Sequence, residues 1–316
     1  APGVGEIREA PLAACEPGQV VVETSYSGIS RGTESLVFRG EVPPSEYERM
    51  RAPFQEGDFP GPLKYGYSSV GRVVEGPPEL RGRMVFCLYP HQDRYLVPAA
   101  AVTPLPDQVP PARAVLAANA ETAVNILWDA APRLGDRIVV VGGGVVGLLS
   151  AWLAAQVPAA EVTVVDVEPR RRAAAESLGV AFTTESPAGA DADLVIHASG
   201  QPSGLAAGLA AAGMEATLIE ASWYGTRSVR VPLGEAFHAK RLTIRSSQVG
   251  RLPAERTPRW DHGRRLGVAL SLLRDARLDT LISIESRFDE LPTVMRTLSE
   301  GPADVLCRRI RYRDEG

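Results

Sequence analysis

The stretch VVVGGGVVGLLSA, residues 139–151, constrains the chain more tightly than any other. An apolar run ends in glycines at 142, 144 and 147, and an apolar, helix-forming segment follows at once. This is G-x-G-x-x-G between a strand and a helix. Gly142 permits a tight turn, Gly144 lets a ligand's pyrophosphate approach the backbone, and Gly147 lets helix and strand pack closely. The helix opening at Val145 and Val146 offers unpaired N–H groups and the positive end of its dipole to phosphates. The next apolar run, EVTVVDV, ends at Asp166, 19 residues after Gly147. A carboxylate there suits the hydroxyls of an adenosine ribose. Residues 142, 144, 145, 146, 147 and 166 thus read as a dinucleotide site. Asp166 repels a 2′-phosphate, so NAD is expected, with NADP possible because Arg170–Arg172 follow; Arg171 is the one kept as a cofactor contact.

The loop sits in a longer rhythm. RIVVVGGG, EVTVVDV, ADLVIHASG and EATLIEAS alternate with helical segments at 145–157, 169–179 and 203–213. Continuous apolar runs of this kind are buried on both faces, as in a doubly wound parallel sheet. The end of ADLVIHASG falls at the carboxyl edge of such a sheet, where ligands bind, so Ser199 and Gly200 are expected at the cofactor's ribose. His197 just before them reads as a core histidine.

The first hundred residues read as strands broken by Gly and Pro, among them GQVVVETSYSGIS, SVGRVVEG, GRMVFCLYP and DRYLVPAAAVTPLP. A loop or short helices fill 40–62. A helix is predicted from Pro110 through PARAVLAANAETAVNILWDAA. After 249 come two amphipathic helices and a closing strand, ADVLCRRIRY. The expected division is 1–120 with 249–316 as one domain, and 121–248 as the dinucleotide-binding domain.

Composition narrows the partners. With 316 residues, 45% of them hydrophobic, two cores are affordable. A formal net charge of −4 offers no attraction to nucleic acid or an anionic membrane. No apolar run reaches the roughly 18 residues needed to span a bilayer. Cys15, Cys87 and Cys307 lie far apart, as free thiols in a reducing cytoplasm would. The opening residues lack the basic start and apolar core of a secretion signal.

Taken in order, YSGISRGTES, KYGYSSVGRVVEG, RLGDRIVVVGGGVVG, VVDVEPRRRAAAESLGV and DLVIHASGQPSGL resemble the medium-chain dehydrogenase/reductase superfamily. The chain is most similar to its zinc-lacking, alcohol dehydrogenase-like branch, which includes bacteriochlorophyllide hydroxyethyl dehydrogenases. The resemblance implies an α/β fold, with a β-rich GroES-like catalytic domain beside a Rossmann domain. Zinc members carry Cys in a G-I-C segment, G-H-E at a strand start, and a third ligand further on. Here Ser30 or Arg31 stands at the Cys position, depending on register. Gly66-Tyr67-Ser68 replaces G-H-E, and the third position falls near Ala118. Hydroxyl, phenol and methyl groups cannot build the N/S site that zinc prefers, so no metal is expected.

The resemblance puts Tyr67 and Ser68 at the floor of a substrate pocket, with Thr33 and Ser30 nearby and His91 in a bordering segment. These four, Tyr67, His91, Thr33 and Ser30, are the catalytic candidates. His91 is the one that titrates near neutrality. Lys64 and Glu34 are weaker candidates. By the same resemblance Arg31 meets the cofactor's pyrophosphate, and Ser246 and Ser247, with Gln248, meet its nicotinamide. Trp223 and Tyr224 lie near a strand end as pocket walls or packing. The implied activity is NAD(P)-dependent hydride transfer between nicotinamide and a secondary alcohol or ketone, without zinc. Reduction of a quinone or enone, and a dinucleotide-binding module without turnover, are the alternatives. A homodimer joined through KRLTIRSSQV is the expected assembly.

Overall fold

A computed structural model describes residues 2–301 and 305–313. The chain divides into two compact units: Ala1–Ala118 with Leu270–Gly316, and Asn119–Ala269.

In the unit Asn119–Ala269, six parallel strands form one sheet. From edge to edge they are Ala181–Thr183, Glu161–Val165, Arg137–Val141, Ala192–His197, Ala212–Glu220 and Thr243–Ser246. In chain order that is 3-2-1-4-5-6, the doubly wound order with its reversal between the first and fourth strands. β-branched runs favour these strands, and burial on both faces keeps them apolar. Val140, Val164, Val195, Ile196 and Leu218 are fully enclosed. The helices Val145–Ala154 and Pro202–Ala211 pack against the sheet, and Pro202 takes the first helical position, where its missing N–H costs nothing. The segment predicted as a helix over 169–179 is shorter: a 3₁₀ turn, Pro169–Arg171, then Arg172–Ser177.

This unit extends to Ala269, beyond the expected boundary at 248. Arg265, on the helix His262–Leu272, supplies the reason. Its guanidinium, 2% exposed, bonds Glu121 Oε1 at 3.0 Å, Asn125 Oδ1 at 2.5 Å and the Val249 carbonyl at 2.6 Å. A buried guanidinium needs that many acceptors, and they hold residues 249–269 to the helix Ala117–Ala130.

The other unit is built on a seven-stranded sheet. The long strand Gln19–Ile29 pairs antiparallel with Ser69–Glu75, with Arg94–Pro98 and with Cys307–Arg311. Met84–Cys87 and Val102–Pro104 extend the sheet on one side, and Ile282–Arg287 pairs parallel with Cys307–Arg311 on the other. Val20, Val22, Val73, Val85 and Tyr95 form its core. The helix Arg31–Phe38 follows the long strand directly and packs on Leu291–Glu300. Arg113 clamps the returning chain, bonding both Asp279 oxygens at 2.7 Å and the Leu273 carbonyl at 3.1 Å.

The continuous helix predicted from Pro110 is broken. Pro111–Ala114 ends, and Ala117–Ala130 begins anew. Between them the Val115 carbonyl accepts from the Ser68 hydroxyl at 2.6 Å. No helix among the described residues is long and apolar enough to cross a membrane.

Candidate functional site

The glycine loop has the geometry its sequence requires. Gly142 has φ +111°, and a Cβ there would lie 2.6 Å from the Ser199 nitrogen. A Cβ on Gly147 would lie 1.8 Å from the Gly142 carbonyl oxygen, so any side chain would force the helix off the strand. Gly144, by contrast, has open space around its Cβ direction and precedes the helix Val145–Ala154. Its bareness relieves no contact within the protein, which is what a backbone surface reserved for a ligand requires. Val145 and Val146 are half-buried in the helix's first turn.

Asp166 lies at the end of the neighbouring strand. Its Oδ2 accepts from the Gly143 N–H at 2.6 Å and its Oδ1 from the Glu168 N–H at 2.8 Å. The carboxylate therefore ties the loop to the second strand while keeping lone pairs for a further donor. Of the three arginines that follow, Arg170 pairs with Glu168, Arg172 bonds the Phe182 carbonyl and stacks on its ring, and Arg171 is buried. Glu168 is held well below the usual carboxylate range by the Arg170 side chain and backbone N–H.

Ser199 and Gly200 follow the strand Ala192–His197. The Gly200 N–H donates to Ser222 Oγ at 3.0 Å, and its carbonyl accepts from Arg227. His197 is fully buried, as expected of a core histidine, yet both its nitrogens are engaged, one by Ser199 and one by Glu220. Ser246 ends the sheet's edge strand and is exposed. The Ser247 hydroxyl turns inward, donating to Asp129 Oδ2 at 2.6 Å. Trp223 is half-buried, and the Tyr224 hydroxyl bonds Glu220 at 3.1 Å.

In the unit Ala1–Ala118 with Leu270–Gly316, the four catalytic candidates come together. Ser30 stands at the N-cap of the helix Arg31–Phe38, without a side-chain capping bond, and Thr33 lies in its first turn. Burial, then the Glu34 carboxylate, pushes the Tyr67 phenol up, while the Ser30 and Thr33 side chains pull against the shift. Tyr65 meets the Tyr67 ring edge-on at 6.1 Å and is raised for the same leading reason. His91 lies in a loop after Pro90, yet it is nearly enclosed. Its side chain is 7% exposed, Nε2 lies 2.8 Å from Glu34 Oε2, and Nδ1 lies 2.7 Å from Ser27 Oγ. Ser27 continues to the Tyr312 hydroxyl at 3.0 Å. Glu34, 2% exposed, also accepts the Ser30 N–H at 2.7 Å. Gly66 makes room for the imidazole: a Cβ there would lie 2.9 Å from His91 Cδ2.

Two expectations change here. Ser68 does not line the floor beside Tyr67; it is 2% exposed and bonds the Val115 carbonyl. Both residues lie in the irregular segment before the strand Ser69–Glu75, and Ser68 is the one turned into the core. Glu34, ranked low, is central: it bonds His91 and raises Tyr67. Its position four residues after Ser30, reaching back over the first helical turn, was the available signal. Ser27 and Tyr312 carried none, being 285 residues apart. Arg31 donates from Nη2 to the Gly301 carbonyl at 3.2 Å, and Lys64 pairs with Glu56 and Gln92.

Among the described residues no three His, Cys, Asp or Glu side chains gather as a metal site. A zinc ion does not fit the donors present. Tyr67, Ser30 and Thr33 offer neutral hydroxyls, and the one imidazole is held by Glu34 and Ser27.

Comparison with known proteins agrees with this architecture. The family described as Alanine dehydrogenase/PNT, C-terminal domain, matches residues 132–221. Over 207 residues the chain is 32% identical to the 2-desacetyl-2-hydroxyethyl bacteriochlorophyllide A dehydrogenase of Rhodobacter capsulatus. That match covers 59% of this chain and 60% of the relative, so the chain spans about three fifths of the curated protein it matches. Among solved structures, 2R,3R-butanediol dehydrogenase from Bacillus subtilis superimposes with a TM-score of 0.76 at 17% identity, covering 99% of this chain and 97% of its own. A protein of Sinorhizobium meliloti described as a zinc-binding dehydrogenase, bound to NADP, gives 0.74 at 18% identity, covering 96% and 95%. At such identities the shared property is the fold.

Proposed function

We propose, from the premise that the chain is an alcohol dehydrogenase-like member of the medium-chain dehydrogenase/reductase superfamily, that it is a nicotinamide-dependent oxidoreductase interconverting a secondary alcohol and a ketone without catalytic zinc. The observation that carries this reading is Gly144: a bare, unstrained position at a helix start, between two glycines whose own bareness packing demands, with a carboxylate at the adjoining strand end. The unit Asn119–Ala269 holds the dinucleotide. Its pyrophosphate rests on the N–H groups at Gly144–Val146, and its adenosine ribose meets Asp166. That carboxylate favours NAD over NADP. Ser199, Gly200, Arg171, Ser246 and Ser247 are further contacts to the cofactor proposed within this unit.

Bound there, nicotinamide supplies or accepts the hydride. What the protein contributes is hydrogen bonding and a proton. Tyr67 is the donor to the substrate oxygen, with the Ser30 and Thr33 side chains acting on its phenol. With its phenol pushed up by burial, it stays protonated at neutral pH and can donate. A preorganised donor aimed at a developing alkoxide is worth roughly 3 kcal/mol of barrier. His91, with Glu34 on Nε2 and Ser27 on Nδ1, is the imidazole of this cluster and the group assigned to pass the proton on. The substrate is a small molecule.

NADH formation is to be measured with a panel of secondary alcohols, before and after exhaustive chelation, with an enone and a quinone run in the reductive direction. Turnover of an alcohol that survives chelation supports the proposal. Loss on chelation with recovery on added zinc overturns the metal-free part, and turnover confined to the enone or quinone overturns the substrate class.

A further inference from the structure

At the carboxyl edge of the parallel sheet, three side chains from two adjacent strands form a line. Glu220 receives His197 Nδ1 at 2.8 Å from Oε2 and 2.9 Å from Oε1, and His197 Nε2 lies 2.6 Å from Ser199 Oγ. An ionised carboxylate only accepts, so Nδ1 carries the hydrogen, Nε2 is the bare nitrogen, and the Ser199 hydroxyl must donate to it. The line is built rather than incidental. A Cβ on Gly204 would lie 2.3 Å from Ser199 Oγ and 2.8 Å from His197 Nε2, so glycine is what admits the pair beneath the helix Pro202–Ala211. Glu220 is fixed in turn by the Ser222 N–H at 2.8 Å and the Tyr224 hydroxyl at 3.1 Å. Backbone beside Ser199 packs against Gly142, the first glycine of the loop.

We infer that His197 and Glu220 are positioning residues that turn the Ser199 hydroxyl into a dedicated hydrogen-bond acceptor for a ligand hydroxyl, the ribose diol of the nicotinamide nucleotide. The inference rests on the dinucleotide reading above. With its hydrogen committed to His197, Ser199 Oγ presents lone pairs: one takes the Gln201 N–H at 3.2 Å, and the other is left for a donor. A sugar hydroxyl is such a donor; a phosphate or carboxylate is not, and is repelled by the partly negative oxygen. The groups facing His197 are Glu220 on the neighbouring strand, Ser222 and Tyr224 beyond it, and Ser199 on its own turn; Arg227 stacks on Tyr224 from outside.

The test is the dissociation constant for NADH, followed by nicotinamide fluorescence. Ser199→Ala is expected to bind about tenfold more weakly, and Ser199→Thr, which keeps the hydroxyl, to restore the affinity. Glu220→Gln removes the carboxylate that fixes the tautomer; it is expected to weaken NADH binding without loss of helical signal by circular dichroism, and to add nothing further when combined with Ser199→Ala. If Ser199→Ala binds as tightly as the unaltered chain, or if Glu220→Gln weakens binding equally with and without Ser199→Ala, the inference is overturned and the dinucleotide reading stands. If the unaltered chain binds no NADH, both fall.

Discussion

Tyr67 carries the heaviest chemical assignment of any single residue. Its pKa is pushed up first by burial and then by Glu34, against the pull of Ser30 and Thr33. Tyr67→Phe removes the donor while keeping the ring. Turnover should fall about a hundredfold, with NADH affinity changed less than twofold, as single-turnover kinetics and a binding titration would reveal. A fall in NADH affinity with turnover intact would assign the ring to cofactor packing instead. Glu220 makes a separate, stability-based prediction. Hydrogen bonds from His197 and Ser222 hold it below the usual carboxylate range despite burial, so the folded state binds its proton less readily than the unfolded state does. The stability this gives is present above the ordinary carboxylate pKa and is lost as pH falls through the lowered folded value. Glu220→Gln should flatten the acid limb of a denaturation-versus-pH curve; an unchanged limb would refute the linkage.

Among the elements, the strand–loop–helix at 137–154 and the helix at 262–272 are the most exacting. Gly147→Ala places a methyl within 1.8 Å of the Gly142 oxygen, a conflict relieved only by shifting the helix. Such overpacking costs about 1–3 kcal/mol, and chemical denaturation should record it together with a loss of NADH binding. Arg265→Ala leaves Glu121 buried without its cation, which costs about 3–5 kcal/mol by the same measurement. A midpoint unchanged by Arg265→Ala would mean residues 249–269 are not anchored there. The sequence was informative about these elements to different degrees. The parallel strands were legible because burial on both faces leaves an unbroken apolar run. The break after Ala114 was not, because Val115 and Leu116 continue an apolar helical pattern and the hydroxyl that meets the Val115 carbonyl comes from Ser68, 47 residues away. Ser68 and Tyr67 illustrate the same limit: they lie in the irregular segment before the strand Ser69–Glu75, where no periodicity says which side chain turns inward.

At the scale of the whole molecule, the legible part was the division into a β-rich unit and a doubly wound one. The end of the second unit was not, since it turns on the long reach of Arg265 into a buried pocket of acceptors. The edge strand Thr243–Ser246 leaves one side of the six-stranded sheet open, with Thr243, Arg245 and Ser246 exposed. An unpaired edge is a template for a second copy, and a homodimer is the assembly proposed for it. Light scattering should then return twice the 33.7 kDa chain mass, whereas a monomer mass at all concentrations would exclude that use of the edge. The central claim, a dinucleotide held against the glycine loop, meets its sharpest test in Gly144→Val. The position has ordinary backbone angles (φ −75°) and open space beside it, so the protein itself should accept the side chain. Calorimetric titration with NADH should yield binding to the unaltered chain and none to the variant, at equal thermal stability. Equal affinity for both proteins would contradict the account.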